Sequence, residues 1–119
     1  MRWVVALLIV MLLMGAAQVE AAIKLVKNTR NSEGQFCSMI PEVVAEKLGC
    51  RVVKAEWSED KTDSSARVSL NVSTQKELLV DSLYMSYSWN PEWVWRVESQ
   101  TQKVSPANAQ AERWMKGKI

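Results

Sequence analysis

The segment Ala66–Ser73 (ARVSLNVS) alternates without a break. Val68, Leu70 and Val72 fall on one side, and Arg67, Ser69, Asn71 and Ser73 on the other. Side chains of a strand leave opposite faces at period 2, so this is a strand with one dry and one wet face. Such a strand is not stable alone. It needs antiparallel neighbours of the same patterning and an apolar element over its dry face.

The neighbours are present. Arg51–Ser58 sets Val53, Ala55 and Trp57 against Lys54 and Glu56, and the charged run Ser58–Ser65 (SEDKTDSS) reads as the turn that follows. After a short connection at Thr74–Lys76, Leu78–Trp89 reads as one long strand. Leu83, Met85, Tyr87 and Trp89 share a face of it, Tyr84 lies with serines on the other, and Asp81 interrupts its apolar side. Asn90-Pro91-Glu92 reads as a tight turn, and Trp93–Val97 as the next strand. A short strand is also expected at Ala22–Lys27 (AIKLVK), before the polar loop Asn28–Gln35.

The covering element is a helix over Met39–Leu48. Ile40, Val43, Val44 and Leu48 fall on one helical face. Pro41 sits in the first turn, where a missing N–H is harmless, and Gly49 is placed to end the helix. A second short helix is expected at the C-terminus, capped by Ser105 with Pro106 in its first turn, and carrying Ala107, Ala111, Trp114 and Met115. The expected class is α+β: a short helix packed on a four- to five-stranded antiparallel meander, plus a short C-terminal helix. The order of the first six elements, β-α-β-β-β-β, resembles that of cystatin-like α+β rolls.

The ends and the charge bound the setting. Met1-Arg2-Trp3 precedes the apolar run Val4–Met14, and small residues follow through Ala22. This three-part pattern reads as a secretory signal peptide, residues 1–21, cleaved after Ala21. It leaves residues 22–119 as one small domain, periplasmic or secreted. The apolar run is shorter than the roughly 20 residues a bilayer-spanning helix needs, so no stable membrane span is expected after cleavage. The net charge of +2 comes from 15 basic and 13 acidic residues without a basic stripe. Nucleic acid is therefore not an expected partner. In an oxidising compartment Cys37 and Cys50 are a candidate disulfide. The Asn71-Val72-Ser73 triplet matches a glycosylation acceptor, on an outward-facing position.

The chemistry of catalysis is thin. The chain has no histidine, hence no ordinary general base near neutral pH, no Ser-His-Asp or Cys-His set and no zinc spacing. Glu59, Asp60 and Asp63 fall in a solvated turn. An enzyme is not expected, nor a metal or a cofactor.

What stands out instead is YSWNPEWVW, Tyr87 to Trp95. With a turn at Asn90-Pro91, Trp89 would face Trp93 and Tyr87 would face Trp95 across a hairpin. The rings either fill the core beneath the helix of Ile40, Val43, Val44 and Leu48, or protrude where one short helix cannot reach, Trp89 and Trp93 beside the turn first. The candidate contact residues are therefore Tyr87, Trp89, Asn90, Trp93 and Trp95. Trp and Tyr are enriched in binding hot spots, so the expected function is an exported protein-binding domain. It would be an inhibitor or immunity-type protein, or an accessory subunit of an envelope assembly, with another exported protein as partner. The alternative is a periplasmic module that binds a glycan or small ligand.

Overall fold

The computed structural model describes residues 21–119. The expected signal sequence and its apolar run lie outside the described residues, apart from Ala21. The chain runs α1 (Ala21–Lys27), a single 3-10 turn (Cys37–Met39), α2 (Ile40–Leu48), β1 (Arg51–Lys61), β2 (Ser65–Val80), β3 (Leu83–Trp89), β4 (Glu92–Glu98), β5 (Val104–Pro106) and α3 (Ala109–Met115). This is an α+β fold, with helices packed on one five-stranded antiparallel sheet.

The first element corrects an expectation. Ala22–Lys27 lies in a helix and not a strand, so the β-α-β-β-β-β roll order does not hold. Ala22 and Val26, four apart, are both buried in the core. That spacing stacks them on one helical face, whereas the alternation of Ile23, Lys24 and Leu25 spans too few residues to specify a strand. Helix α2 forms as expected. Pro41 lies in its first turn, and Gly49 closes it with φ +59°, a left-handed conformation that glycine adopts without a steric cost.

The centre of the sheet is β2. One of its edges is paired by β1 from Lys61 and Ala66 as far as Arg51 and Gln75, with a bulge between Val52 and Lys54. Its other edge is shared. β4 pairs the first half, from Ser65–Glu98 to Asn71–Glu92. β3 pairs the second half, from Thr74–Trp89 to Val80–Leu83. Both halves keep the same register, and the Val72 N–H donates to the Pro91 carbonyl across the gap at 3.2 Å. Residues 65–80 and 83–98 are therefore one long hairpin. Its turn is Asp81-Ser82, with φ of +50° and +66°, the two left-handed residues of a type I′ turn.

This replaces three expectations. Thr74–Lys76 is strand and not a connection. Leu78–Trp89 is the end of one strand, a turn and the next strand, and Asp81 is the turn residue. Asn90-Pro91 is an interruption within a strand line and not a hairpin turn, so Trp89 does not face Trp93 and Tyr87 does not face Trp95. Their register partners are Thr74 for Trp89, Lys76 for Tyr87, Leu70 for Trp93 and Val68 for Trp95.

The core lies between the helices and the dry face of the first half of this hairpin. Val68, Leu70, Val72, Trp93, Trp95 and Val97 meet Val26, Cys37, Ile40, Val43, Val44 and Trp114. The alternation read from Val68, Leu70 and Val72 holds, and Asn71 faces outward. The C-terminal helix starts later than expected, because Val104–Pro106 pairs with β4 as β5. Asn108 is the cap. Its Oδ1 accepts from Ala111 N–H at 2.9 Å and also from Val94 N–H at 3.2 Å, while its Nδ2 donates to the Glu92 carbonyl at 2.7 Å. One side chain thus closes a helix and covers the outer edge of β4.

Candidate functional site

The sheet outgrows its cover. Helix α2 ends at Leu48, and the Lys76 ammonium donates to the Leu48 carbonyl at 2.9 Å. β1 begins at Arg51, opposite Gln75. Past these two limits β2 and β3 continue as a bare two-stranded arm, and every residue from Glu77 to Asn90 is exposed. The root of the arm is fixed by Thr74, which is buried and donates through Oγ1 to the Trp89 carbonyl at 2.8 Å.

Alternation places the arm's side chains. Leu78 pairs with Met85 and Val80 with Leu83, on the same face as Tyr87 and Trp89. This face continues the dry face of the core, so its apolar pattern runs on where the helix does not. Gln75, Ser88, Glu77 and Ser86 lie on the opposite face, and Leu79 and Tyr84 join them near the turn. The exposure is large for apolar residues: 70% for Leu83 and 80% for Tyr84. At the root, Leu48, Cys50, Thr74, Lys76, Tyr87, Ser88 and Trp89 line a shallow recess of about 240 Å³.

The five aromatic-segment residues expected as contacts divide sharply. Trp93 and Trp95 are core, each 0% exposed. Trp95 stacks on Trp57 with ring centroids 5.8 Å apart. Their indole N–H groups meet no acceptor among the described residues, so both serve as packing volume. Tyr87, Trp89 and Asn90 are exposed and sit on or beside the arm. The residues missed were Leu78, Leu79, Val80, Leu83, Tyr84 and Met85. The available signal was Asp81-Ser82 between two apolar stretches, a turn-prone pair with strand patterning on either side.

Cys37 and Cys50 are not bonded to each other, which corrects the expected disulfide. Cys37 is in the turn before α2 and Cys50 lies after its end, so the length of the helix separates them. Cys37 is buried in the core, and that burial pushes its thiol up from 9.0 to about 11. The Trp114 indole beside it opposes the shift, although it makes no well-formed hydrogen bond to the sulfur. Cys50 is half-buried, with its thiol 3.8 Å from the Val44 carbonyl.

Among the described residues no three His, Cys, Asp or Glu side chains converge as metal ligands, and no helix is long and apolar enough to cross a membrane. The chain matches no family model, no curated protein and no solved structure.

Proposed function

We propose that this is an exported protein-binding domain and that the β2–β3 arm is its contact surface. The observation that carries the reading is the apolar exposure of the arm. Eight large apolar residues between Leu78 and Trp89 are about half exposed on average. At roughly 150–250 Å² for a large side chain, they present on the order of 800 Å². That is about what one partner contributes to a standard protein interface; six of the eight lie on the face that continues the core, and Leu79 and Tyr84 on the other face near the turn.

The arm's form favours an inhibitor or immunity-type role over that of an accessory subunit. It projects past the body as a narrow ribbon, the shape that enters a cleft. The recess between Leu48, Tyr87 and Trp89 can seat one apolar side chain of the partner, and pockets of that kind hold interface hot spots. Asp81 at the tip and Glu77 on the arm are acidic, which suits a protein partner better than an anionic lipid surface.

The test is capture by chemical crosslinking in the native envelope and medium, read by mass spectrometry. Wild type runs beside the double variant Leu83→Ser/Tyr84→Ser, which alters only exposed positions. A protein captured by wild type and lost by the folded variant supports the reading. Equal capture by both moves the contact elsewhere, and retention of a glycan in place of a protein makes this a ligand-binding module.

A further inference from the structure

The outer edge of the strand line β3–β4 is treated in two ways. Along β4 it is covered from the Glu92 carbonyl onward. β5 pairs with Trp95, Arg96 and Val97, the Ala107 N–H donates to the Val94 carbonyl at 2.7 Å, and Asn108 satisfies Val94 N–H and the Glu92 carbonyl. Coverage stops at Glu92. Along β3 the only paired neighbour among the described residues is β2, on the inner side.

Which groups are left bare follows from the alternation of the ladder. In an antiparallel pair, every second residue turns its N–H and C=O inward and the others turn theirs outward. Glu92 and Val94 turn outward, as their bonds to Asn108 require. The shared register carries that parity into β3, so Tyr84, Ser86 and Ser88 present outward N–H and C=O groups.

Exposed edges of this kind are normally blunted by charge, proline or a bulge. Leu83–Trp89 (LYMSYSW) has no charged residue and no proline, and its pairing with β2 runs without a register shift. The arm also consists of two strands only, and an isolated two-stranded hairpin is marginally stable in water. Both facts are answered by the same addition, a further strand on β3.

We propose that this strand is β3 of a second copy, paired antiparallel about a two-fold axis at Ser86. A strand on this edge presupposes that the arm is a contact surface, as argued above, and it names the partner for the edge. The register is self-complementary. Ser86 faces Ser86 of the second copy, and Tyr84 faces Ser88 in both directions, so all the outward backbone groups of the three residues are paired. Met85 then faces Tyr87 and Leu83 faces Trp89 on the apolar side. The absence of charge on β3 means that no like charges are brought together, which is the usual penalty of self-pairing. The two arms become one four-stranded sheet. Its apolar face, now doubled in width, stays open for the foreign partner.

The experiment is sedimentation velocity on protein purified from cells expressing the full sequence, up to about 100 µM, where a contact with a Kd near 1 µM is saturated. It is paired with Ser86→Cys in a Cys50→Ala background under mild oxidation. Expected are a dimer for wild type, a covalent dimer for Ser86→Cys, and none for Ser88→Cys, whose register partner is Tyr84. Ser86→Lys places two ammonium groups face to face at the axis and should return a folded monomer, whose melting midpoint no longer rises with protein concentration as that of the dimer does. A wild type that remains monomeric, or equal crosslinking through Ser86→Cys and Ser88→Cys, overturns the pairing. A monomer that still captures a foreign protein through the arm overturns only the second copy. A dimer that captures nothing overturns the foreign partner instead.

Discussion

Trp89 and Trp93 meet edge to face, with ring centroids 6.2 Å apart and planes at 76°. They lie on one strand line, either side of the Asn90-Pro91 interruption, and not across a hairpin. Trp93 is fully buried opposite Leu70, while Trp89 is 38% exposed. This pair is the seam between the core and the arm, and the two tryptophans should fail differently. Trp93→Ala should cost about 3–5 kcal/mol, as expected for a large ring removed from a core. Trp89→Ala should cost much less and weaken partner capture. Denaturant unfolding of both variants checks the first part, and crosslinked capture the second.

Leu70 tests the dry face of β2. It is fully buried, with Trp93 opposite it on β4 and Trp57 opposite it on β1. Leu70→Ala should destabilise by about 2–5 kcal/mol. A variant with a wild-type midpoint would place Leu70 outside the core.

Asn108 joins two elements, so its loss should exceed that of a simple cap. Asn108→Ala removes the helix cap and two bonds to the β4 edge. A cap alone is worth roughly 0.5–2 kcal/mol, and we expect a loss at or above the top of that range. Asn108→Asp keeps the acceptor and loses the donor to Glu92, so its unfolding midpoint should fall between those of wild type and Asn108→Ala.

The hairpin turn holds two non-glycine residues at positive φ. Asp81→Asn together with Ser82→Gly supplies the residues that a type I′ turn prefers and should slow hydrogen exchange of the amides around Leu79–Leu83. Unchanged or faster exchange would argue against this turn.

The thiols give a pH dependence. Cys37 has a folded pKa of about 11 against 9.0 for the free group. Below about pH 9 the thiol is neutral in both states and contributes no slope. Between 9 and 11 the unfolded chain releases the proton first, so stability falls with rising pH by up to roughly 1.4 kcal/mol per unit. Cys37→Ala should lose that component of the fall, seen in denaturant midpoints measured from pH 8 to 11. A thiol reagent at neutral pH should modify Cys50 in the native protein and Cys37 only after unfolding.

Much of the body of the fold was legible in the sequence, because its signals are local. Val68, Leu70 and Val72 specify a face by period 2. Pro41 and Gly49 bracket α2, and Ile40, Val43 and Val44 give its buried side. The arm was not legible, for a physical reason. Asp81-Ser82 and Asn90-Pro91 are both turn-prone, and the choice between them depends on which segment pairs with β2, a long-range matter. Folding at Asp81-Ser82 sets Trp93 against Leu70 and Trp95 against Val68, which buries two indoles under the helices. Folding at Asn90-Pro91 would have spent those rings on each other. The Ala22–Lys27 segment reads as strand or helix alike, because six residues fit either period. The cysteine pair was misread because compartment argued for a bond that the intervening helix holds apart.

Proposed function and self-pairing both stand on the single register that carries β2 past the helix, so that register is the thing to measure. Cross-strand Hα–Hα contacts in an NMR spectrum report it directly, since they are strongest at the pairs where no hydrogen bonds are exchanged. The structure predicts such contacts for Gln75–Ser88, Glu77–Ser86 and Leu79–Tyr84. Contacts joining Ser88 to Val94 instead would place the turn at Asn90-Pro91, dissolve the arm and contradict the account.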